Sequence, residues 1–150
     1  MKKFLIVILT IISINVSAQN DNLPFKELGA YSEEFSPNNI VARMIEGLGY
    51  RFYWATESLT DKDLKYKPSE DSRSSLQTLE HIYGLSVFIL YTFEGKEYDF
   101  SQDEMTFTEL RNGTLKNLKI VYDMLNENAD ISQMQVRLNL NGQSLAFPFW

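Results

Sequence analysis

The sequence has no cysteine and a single histidine, His81, among its 150 residues. Without cysteine the chain has no disulfide, no thiolate metal ligand and no cysteine nucleophile. A Ser-His-Asp triad would have to include His81, and a metal site made of histidines alone is excluded. The sequence also has no glycine-rich phosphate loop, no internal repeat and no paired metal-binding motif. Any chemistry that uses an imidazole therefore depends on one position.

Basic residues are also scarce, 14 against 20 acidic ones, and the formal net charge is −6. Binding of nucleic acid needs clustered Lys and Arg to neutralise phosphates, so nucleic acid is not an expected partner. What the sequence does have is an apolar share of 44% with 23% charged residues. Such a balance is typical of one ordinary globular domain and excludes a disordered chain.

The N-terminus has the pattern of a secretory signal peptide at residues 1–18. Two lysines precede an almost wholly apolar run from Phe4 to Ile14, and small residues fit cleavage after Ala18. An apolar run of about 11 residues is too short to span a bilayer core of ~30 Å. We therefore expect an exported protein, periplasmic or extracellular, with no membrane attachment after cleavage.

The remaining chain divides into an extended N-terminal arm at residues 19–36 and a domain at residues 37–150. Apolar periodicity and four capping residues, Ser36, Thr60, Ser74 and Thr106, predict long helices at 37–58, 76–93 and 107–126, with one short turn after Thr60. Gly95 is the predicted stop of the second long helix.

Near the C-terminus the apolar period changes from helical to alternating. Residues 134–140 predict a strand, and Asn141-Gly142 is a strong signal for a tight hairpin turn. Residues 145–147 predict the return strand, so we expect a short β-hairpin.

Apolar spacing also predicts which helix faces are buried. The first helix carries one stripe that should face the core, and the second helix is apolar on nearly all sides and should be the most buried. Gly113 in the third helix predicts close packing against a neighbour. Aromatic residues beside the first stripe are interpreted as covering a second neighbour, with a subunit interface or a pocket wall as the alternative. The stripe is Ile40, Met44, Leu48, Phe52, Ala55 and Leu59, and the aromatic residues beside it are Tyr50, Tyr53 and Trp54.

His81 lies on the second long helix and shares a face with Leu85 and Phe88. One interpretation is a core histidine satisfied by one hydrogen bond. The other is a metal ligand at the centre of a helical bundle. Zinc or nickel needs about three protein ligands, and no Asp or Glu has a recognisable spacing to His81. The residues alone leave both interpretations open.

The segment around His81 resembles the entry to the second helix of DinB-like proteins. Leu64-Lys65-Tyr66-Lys67-Pro68 is similar to the family's Leu-x-x-Lys-Pro loop, and Leu79-Glu80-His81-Ile82 to its histidine inside a capped helix. The flanking residues resemble a secreted branch of the family, of the Bacteroidetes type. The resemblance covers residues 37–150. It implies an all-α four-helix bundle with a divalent metal between the helices.

In that family the metal is held by one histidine of the second helix and a His-x-x-x-His of the last helix. Only the first of these has a counterpart, His81, since Phe147–Trp150 falls where the last helix would begin. The resemblance thus implies a DinB-like up-down helical bundle that lacks its last helix and has a short hairpin near the C-terminus. The implied cofactor is zinc or nickel, bound weakly or not at all.

Three functions stay open at this point. The resemblance implies a metal-dependent enzyme, of the hydrolase or thiol-dependent transferase type, whose metal site is incomplete in this chain. Surplus aromatic surface favours instead a non-catalytic helical module that binds a small apolar ligand or a partner protein. The third is an inactive, truncated gene product whose open groove aggregates or forms a homodimer. The aromatic surface comprises Tyr50, Tyr53, Trp54, Phe88, Phe149 and Trp150.

Overall fold

A computed structural model describes residues 22–30, 32–101, 103–127 and 129–149, so the predicted signal peptide and Trp150 lie outside it. The described chain is mostly helical and ends in an antiparallel hairpin. None of its helices is both long enough and apolar enough to cross a membrane. The elements are α1 (Pro37–Thr56), α2 (Asp61–Leu64), α3 (Ser75–Glu94), α4 (Phe107–Asn126), a 3-10 turn (Ile131–Gln133), β1 (Gln135–Leu140) and β2 (Gln143–Pro148).

The helices begin at the capping residues that the sequence predicts. Ser36, Thr60, Ser74 and Thr106 each accept a hydrogen bond from a backbone N–H of the first turn. The last three complete reciprocal capping boxes, which satisfy donors that the helix itself leaves open. Gly95 ends α3 in the left-handed conformation at φ 67°, where glycine has no Cβ clash. The predicted helix starts and the glycine stop are confirmed.

The central helix of the bundle is α4, which packs against α1 on one side and α3 on the other. Leu115 and Val121 of α4 have 0% exposure. The prediction that the second long helix is the most buried is therefore wrong. Helix α3 is apolar on nearly all sides, yet part of its surface faces solvent, since Leu85 is 47% exposed.

Helices α3 and α4 run in the same direction. Asn117 of α4 donates a hydrogen bond to the Ser86 hydroxyl of α3 at 3.0 Å. One turn earlier on both helices, the Tyr83 ring lies 2.6 Å from where a Cβ on Gly113 would be. The close packing predicted for Gly113 is confirmed, because any larger residue there would have to displace the ring.

Helix α1 runs antiparallel to α4. Asn38, at the start of α1, donates to the Ala129 carbonyl just after α4, at 2.9 Å. At the opposite end, Arg111 of α4 donates to the Thr56 hydroxyl of α1 at 3.0 Å. Because α3 and α4 are parallel, the long helices do not alternate, and the expected up-down order is wrong. The chain between α3 and α4, described at residues 95–101 and 103–106, is a crossover that returns along α3.

The core face of α1 differs from the predicted stripe. Phe52 of the stripe is buried there, as predicted, but so is Tyr53 from beside the stripe, whose ring stacks under the Arg111 guanidinium at 4.7 Å from the ring centroid. Tyr53 thus covers a neighbour, as predicted, but most of the predicted stripe faces solvent. The exposed part is Ile40 (43%), Met44 (68%), Leu48 (48%) and Ala55.

The N-terminal arm explains why α1 buries a different face from the predicted one. The arm packs on a side of α1 that would be exposed to solvent if the predicted stripe faced the core. The Phe25 ring lies where a Cβ on Gly49 would be, so only glycine fits beneath it. Gly29 donates its N–H to the buried Glu46 carboxylate. The Trp54 indole donates to an arm carbonyl at 3.1 Å. With this flank covered, α1 turns its predicted stripe outward.

The hairpin and the crossover together cover part of α3. Strands β1 and β2 pair with Val136 opposite Phe147, around a turn in which Asn141 and Gly142 have positive φ. The predicted hairpin is therefore confirmed. Tyr98 of the crossover pairs with β1 in a parallel bridge that the sequence does not predict.

Candidate functional site

His81 is exposed on α3, on the side that faces the crossover and β1. It lies neither in the core nor at the centre of the bundle, which corrects both locations considered from the sequence. Within the described residues its imidazole makes no hydrogen bond or ion pair. The side chain is therefore available at the surface.

His81 stands at the rim of a cavity of about 300 Å³ between α3, the crossover and β1. The predicted shared face is confirmed, because Leu85 and Phe88 line the same cavity. Among the described residues that line the cavity, the only polar side-chain groups are the His81 imidazole and the Tyr98 phenol. The lining residues are His81, Gly84, Leu85, Phe88, Tyr98, Phe100 and Leu138.

Tyr98 holds the crossover against α3 and is 7% exposed. Its ring makes edge contacts with Phe88, Tyr91 and Phe100, at centroid distances of 5.6, 6.2 and 4.8 Å. Such pairs each stabilise by about 0.5–1.5 kcal/mol beyond area burial. The backbone N–H of Tyr98 donates a hydrogen bond to the backbone carbonyl of Arg137 in β1 at 3.0 Å. The sequence predicts this segment only as a connecting loop between two helices. The signal that could have indicated a packed segment was the pair of aromatic residues, Tyr98 and Phe100, among acidic residues.

Phe100 forms the outer wall of the cavity in a strained backbone conformation. Its φ is 62° and its side chain is 57% exposed. A bulky residue at positive φ costs about 1–3 kcal/mol, and such strain is concentrated at functional sites. Asp99 fixes the turn by accepting hydrogen bonds from the Ser101 hydroxyl and N–H at 2.7 and 3.0 Å. These two bonds, the hydroxyl first, hold the pKa of Asp99 below its ordinary value.

A three-ligand metal site does not fit the described residues. No group of three His, Asp or Glu side chains among them is placed to hold a metal ion. The neighbouring carboxylate in the sequence, Glu80, lies about 100° around the helix from His81. The ligand set that the DinB-like resemblance implies is therefore not assembled around His81 by this part of the chain.

Comparisons with known proteins leave the cavity itself as the basis for assigning a function. No family model, curated protein or solved structure matches the chain. The geometry around His81 combines an exposed imidazole, an apolar hollow and a strained aromatic wall. An arrangement of this kind can enclose a small apolar molecule and orient it through one polar group.

Proposed function

We propose that this protein binds a small apolar or aromatic molecule in the cavity beside His81, with the imidazole as its polar anchor. The observation that carries the proposal is the cavity of about 300 Å³, whose lining is apolar and aromatic beside one histidine. Small-molecule sites typically have volumes of roughly 300–1,000 Å³ and few, well-placed polar groups. The cavity is at the small end of that range and fits one or two fused rings.

Phe100 gives this proposal independent support. Its ring is held over the cavity at 57% exposure by a backbone conformation that is itself unfavourable. A ligand that covers the ring would remove apolar area from water, worth roughly 25 cal/mol per Å². The strain at Phe100 then has a function, because it places the aromatic wall before the ligand arrives.

The polar anchor defines what the ligand should carry. A neutral imidazole both donates and accepts one hydrogen bond, so His81 suits a ring with one N–H, hydroxyl or carbonyl group. Phe88 and Tyr98 offer aromatic surfaces for stacked or edge contacts. The proposal concerns binding and includes no reaction step.

Calorimetry with indole tests this proposal. We expect the wild-type protein to bind indole with a Kd of roughly 1 mM or lower. Gly84 lines the cavity, so Gly84→Leu should fill it and abolish binding. The matched control is Thr78→Leu, at an exposed position of α3 outside the lining, which should bind indole like the wild type. Absence of indole binding, or equal binding by Gly84→Leu, would contradict the proposal.

A second proposal keeps the DinB-like resemblance, with exported, metal-dependent chemistry of the hydrolase or thiol-dependent transferase type. The observation in its favour is the exposed His81 imidazole without a partner in the described chain. Its other ligands would have to come from outside the described residues. Titration with zinc and nickel decides it: micromolar binding that vanishes in His81→Ala supports this function, and no binding in either protein removes it for this chain.

A further inference from the structure

A second cavity, of about 480 Å³, lies on the other side of Tyr98 from His81. It is enclosed by α3, the crossover and the first turn of α4. Tyrosine rings and carboxylates both line it, and no Lys or Arg is found in its lining among the described residues. The tyrosines are Tyr83, Tyr91 and Tyr98, and the carboxylates are Asp103, Glu104 and Glu109.

The tyrosines form the apolar part of this cavity. Tyr83 and Tyr91 are two turns apart on one face of α3, so their rings follow each other along the wall. Tyr98 closes the end, with its ring 6.2 Å from that of Tyr91. The Lys96 ammonium lies 5.5 Å from the Tyr91 ring centroid and pairs with Glu94 at 2.8 Å, so an added cation would have to use the part of this ring that lines the cavity. The faces of such rings attract cations, and the attraction grows as the cation is desolvated.

The carboxylates give the cavity its charge. Asp103 and Glu104 project from the crossover, and Glu109 belongs to the first turn of α4. Glu109 accepts hydrogen bonds from the Thr106 hydroxyl and N–H, both at 2.7 Å. The Thr106 hydroxyl, and then its N–H, hold the pKa of Glu109 below its ordinary value, which favours the charged carboxylate. The cavity therefore joins aromatic faces with negative charge, in contrast to the apolar cavity beside His81.

We propose that the cavity between Tyr91 and Asp103 binds an organic cation, a small ammonium compound with an apolar body. The rings would contact the alkyl groups around the positive nitrogen, and the carboxylates would supply the opposite charge. An acidic surface without the rings would attract any cation alike. The rings are what makes the site select an organic ammonium over a small, strongly hydrated inorganic cation, while rings and carboxylates together favour it over a neutral molecule of the same shape.

Choline and its neutral isostere 3,3-dimethyl-1-butanol are the probes for this site. Binding to the purified protein is followed at low salt by calorimetry and by the tyrosine ring signals in NMR spectra. We expect choline to bind at least about tenfold more tightly than the isostere, with an affinity that falls as salt is added. Equal binding of the two probes, or no binding of choline, would overturn the proposal.

Variants separate the rings from the carboxylates. Tyr91→Phe keeps an aromatic face and should bind choline within about twofold of the wild type, whereas Tyr91→Leu should lose about fivefold or more. The double variant Asp103→Asn with Glu104→Gln changes only exposed positions, so it should fold normally and weaken binding about tenfold.

Two controls complete the test. Glu127→Gln removes one charge at the far end of α4, and it should bind choline like the wild type. Gly84→Leu, which fills the cavity beside His81, should also leave choline binding intact. The two proposals can therefore be contradicted separately. Choline binding that is unchanged by loss of Asp103 and Glu104 would contradict the proposal, and so would an equal loss in Glu127→Gln.

Discussion

Two extended segments lie on the helices of this protein, and each carries a phenylalanine at positive φ. In the N-terminal arm, Phe25 has φ 69° and is 8% exposed. In the crossover, Phe100 has φ 62° and is 57% exposed. Burial of the Phe25 ring against Gly49 offsets its backbone strain, so the arm covers and stabilises the core, which we call its sealing function. No comparable burial offsets the strain at Phe100, and the cavities lie under this second segment.

The largest effect is expected from removing the buried ring of the arm. Phe25→Ala should lower the free energy of unfolding by about 3 kcal/mol, since it empties a filled core position. Phe35→Ala is the matched control, because Phe35 belongs to the same arm but is 91% exposed. Urea denaturation measures both. A loss under about 1 kcal/mol for Phe25→Ala, or an equal loss for Phe35→Ala, would contradict a sealing function of the arm.

The anchor of the crossover should have a smaller effect on stability and a larger one on binding. Tyr98→Leu keeps apolar volume but removes three aromatic edge contacts, so we expect the free energy of unfolding to fall by about 2 kcal/mol. Because Tyr98 forms a wall of both cavities, uptake of indole and of choline should both weaken. Unchanged uptake of both probes would show that Tyr98 does not shape either cavity.

Replacing Phe100 tests the strain directly. Phe100→Gly removes the strain of a positive φ in the folded state but raises the conformational entropy of the unfolded chain. These two effects on stability oppose each other. Stability should therefore change by less than about 1 kcal/mol, while indole binding should weaken. The matched change Phe25→Gly should destabilise strongly. If Phe100→Gly destabilised the protein as much as Phe25→Gly, the contrast between the two segments would be wrong.

The smallest effect concerns the end of the crossover, where Glu109 caps α4. The Thr106 hydroxyl, and then its N–H, hold the pKa of Glu109 below its ordinary value of 4.5. Its stabilising contribution is therefore present above about pH 4.5 and is lost as the pH falls through the lowered value. As the pH is lowered, the free energy of unfolding of Glu109→Gln should fall slightly less steeply than that of the wild type, measured by urea denaturation at several pH values. Identical acid profiles would argue against this cap.

The helix boundaries were predictable because their signals are local. A side-chain oxygen at Ser74 or Thr106 meets an N–H only three residues away, whatever the rest of the fold does. The same holds for Gly95 and for the Asn141-Gly142 turn, where the backbone conformation selects the residue type.

The buried faces and the candidate site were not predictable in the same way. Met44 and Leu48 follow a helical period, but the arm covers the opposite flank of α1 and turns them to solvent. His81 lies on a strongly apolar helix, which favours burial, yet α4 takes the central position instead. The cavity beside His81 exists only because Tyr98 bridges to β1, a contact between residues about forty positions apart.

The most direct test of the proposed function uses the uniqueness of His81. A single histidine in the sequence gives a single set of imidazole signals in NMR spectra, which indole should shift in a saturable way. In Gly84→Leu the same signals should stay unmoved at every indole concentration. Imidazole signals that do not respond to indole in the wild type, or that respond equally in Gly84→Leu, would contradict binding in this cavity.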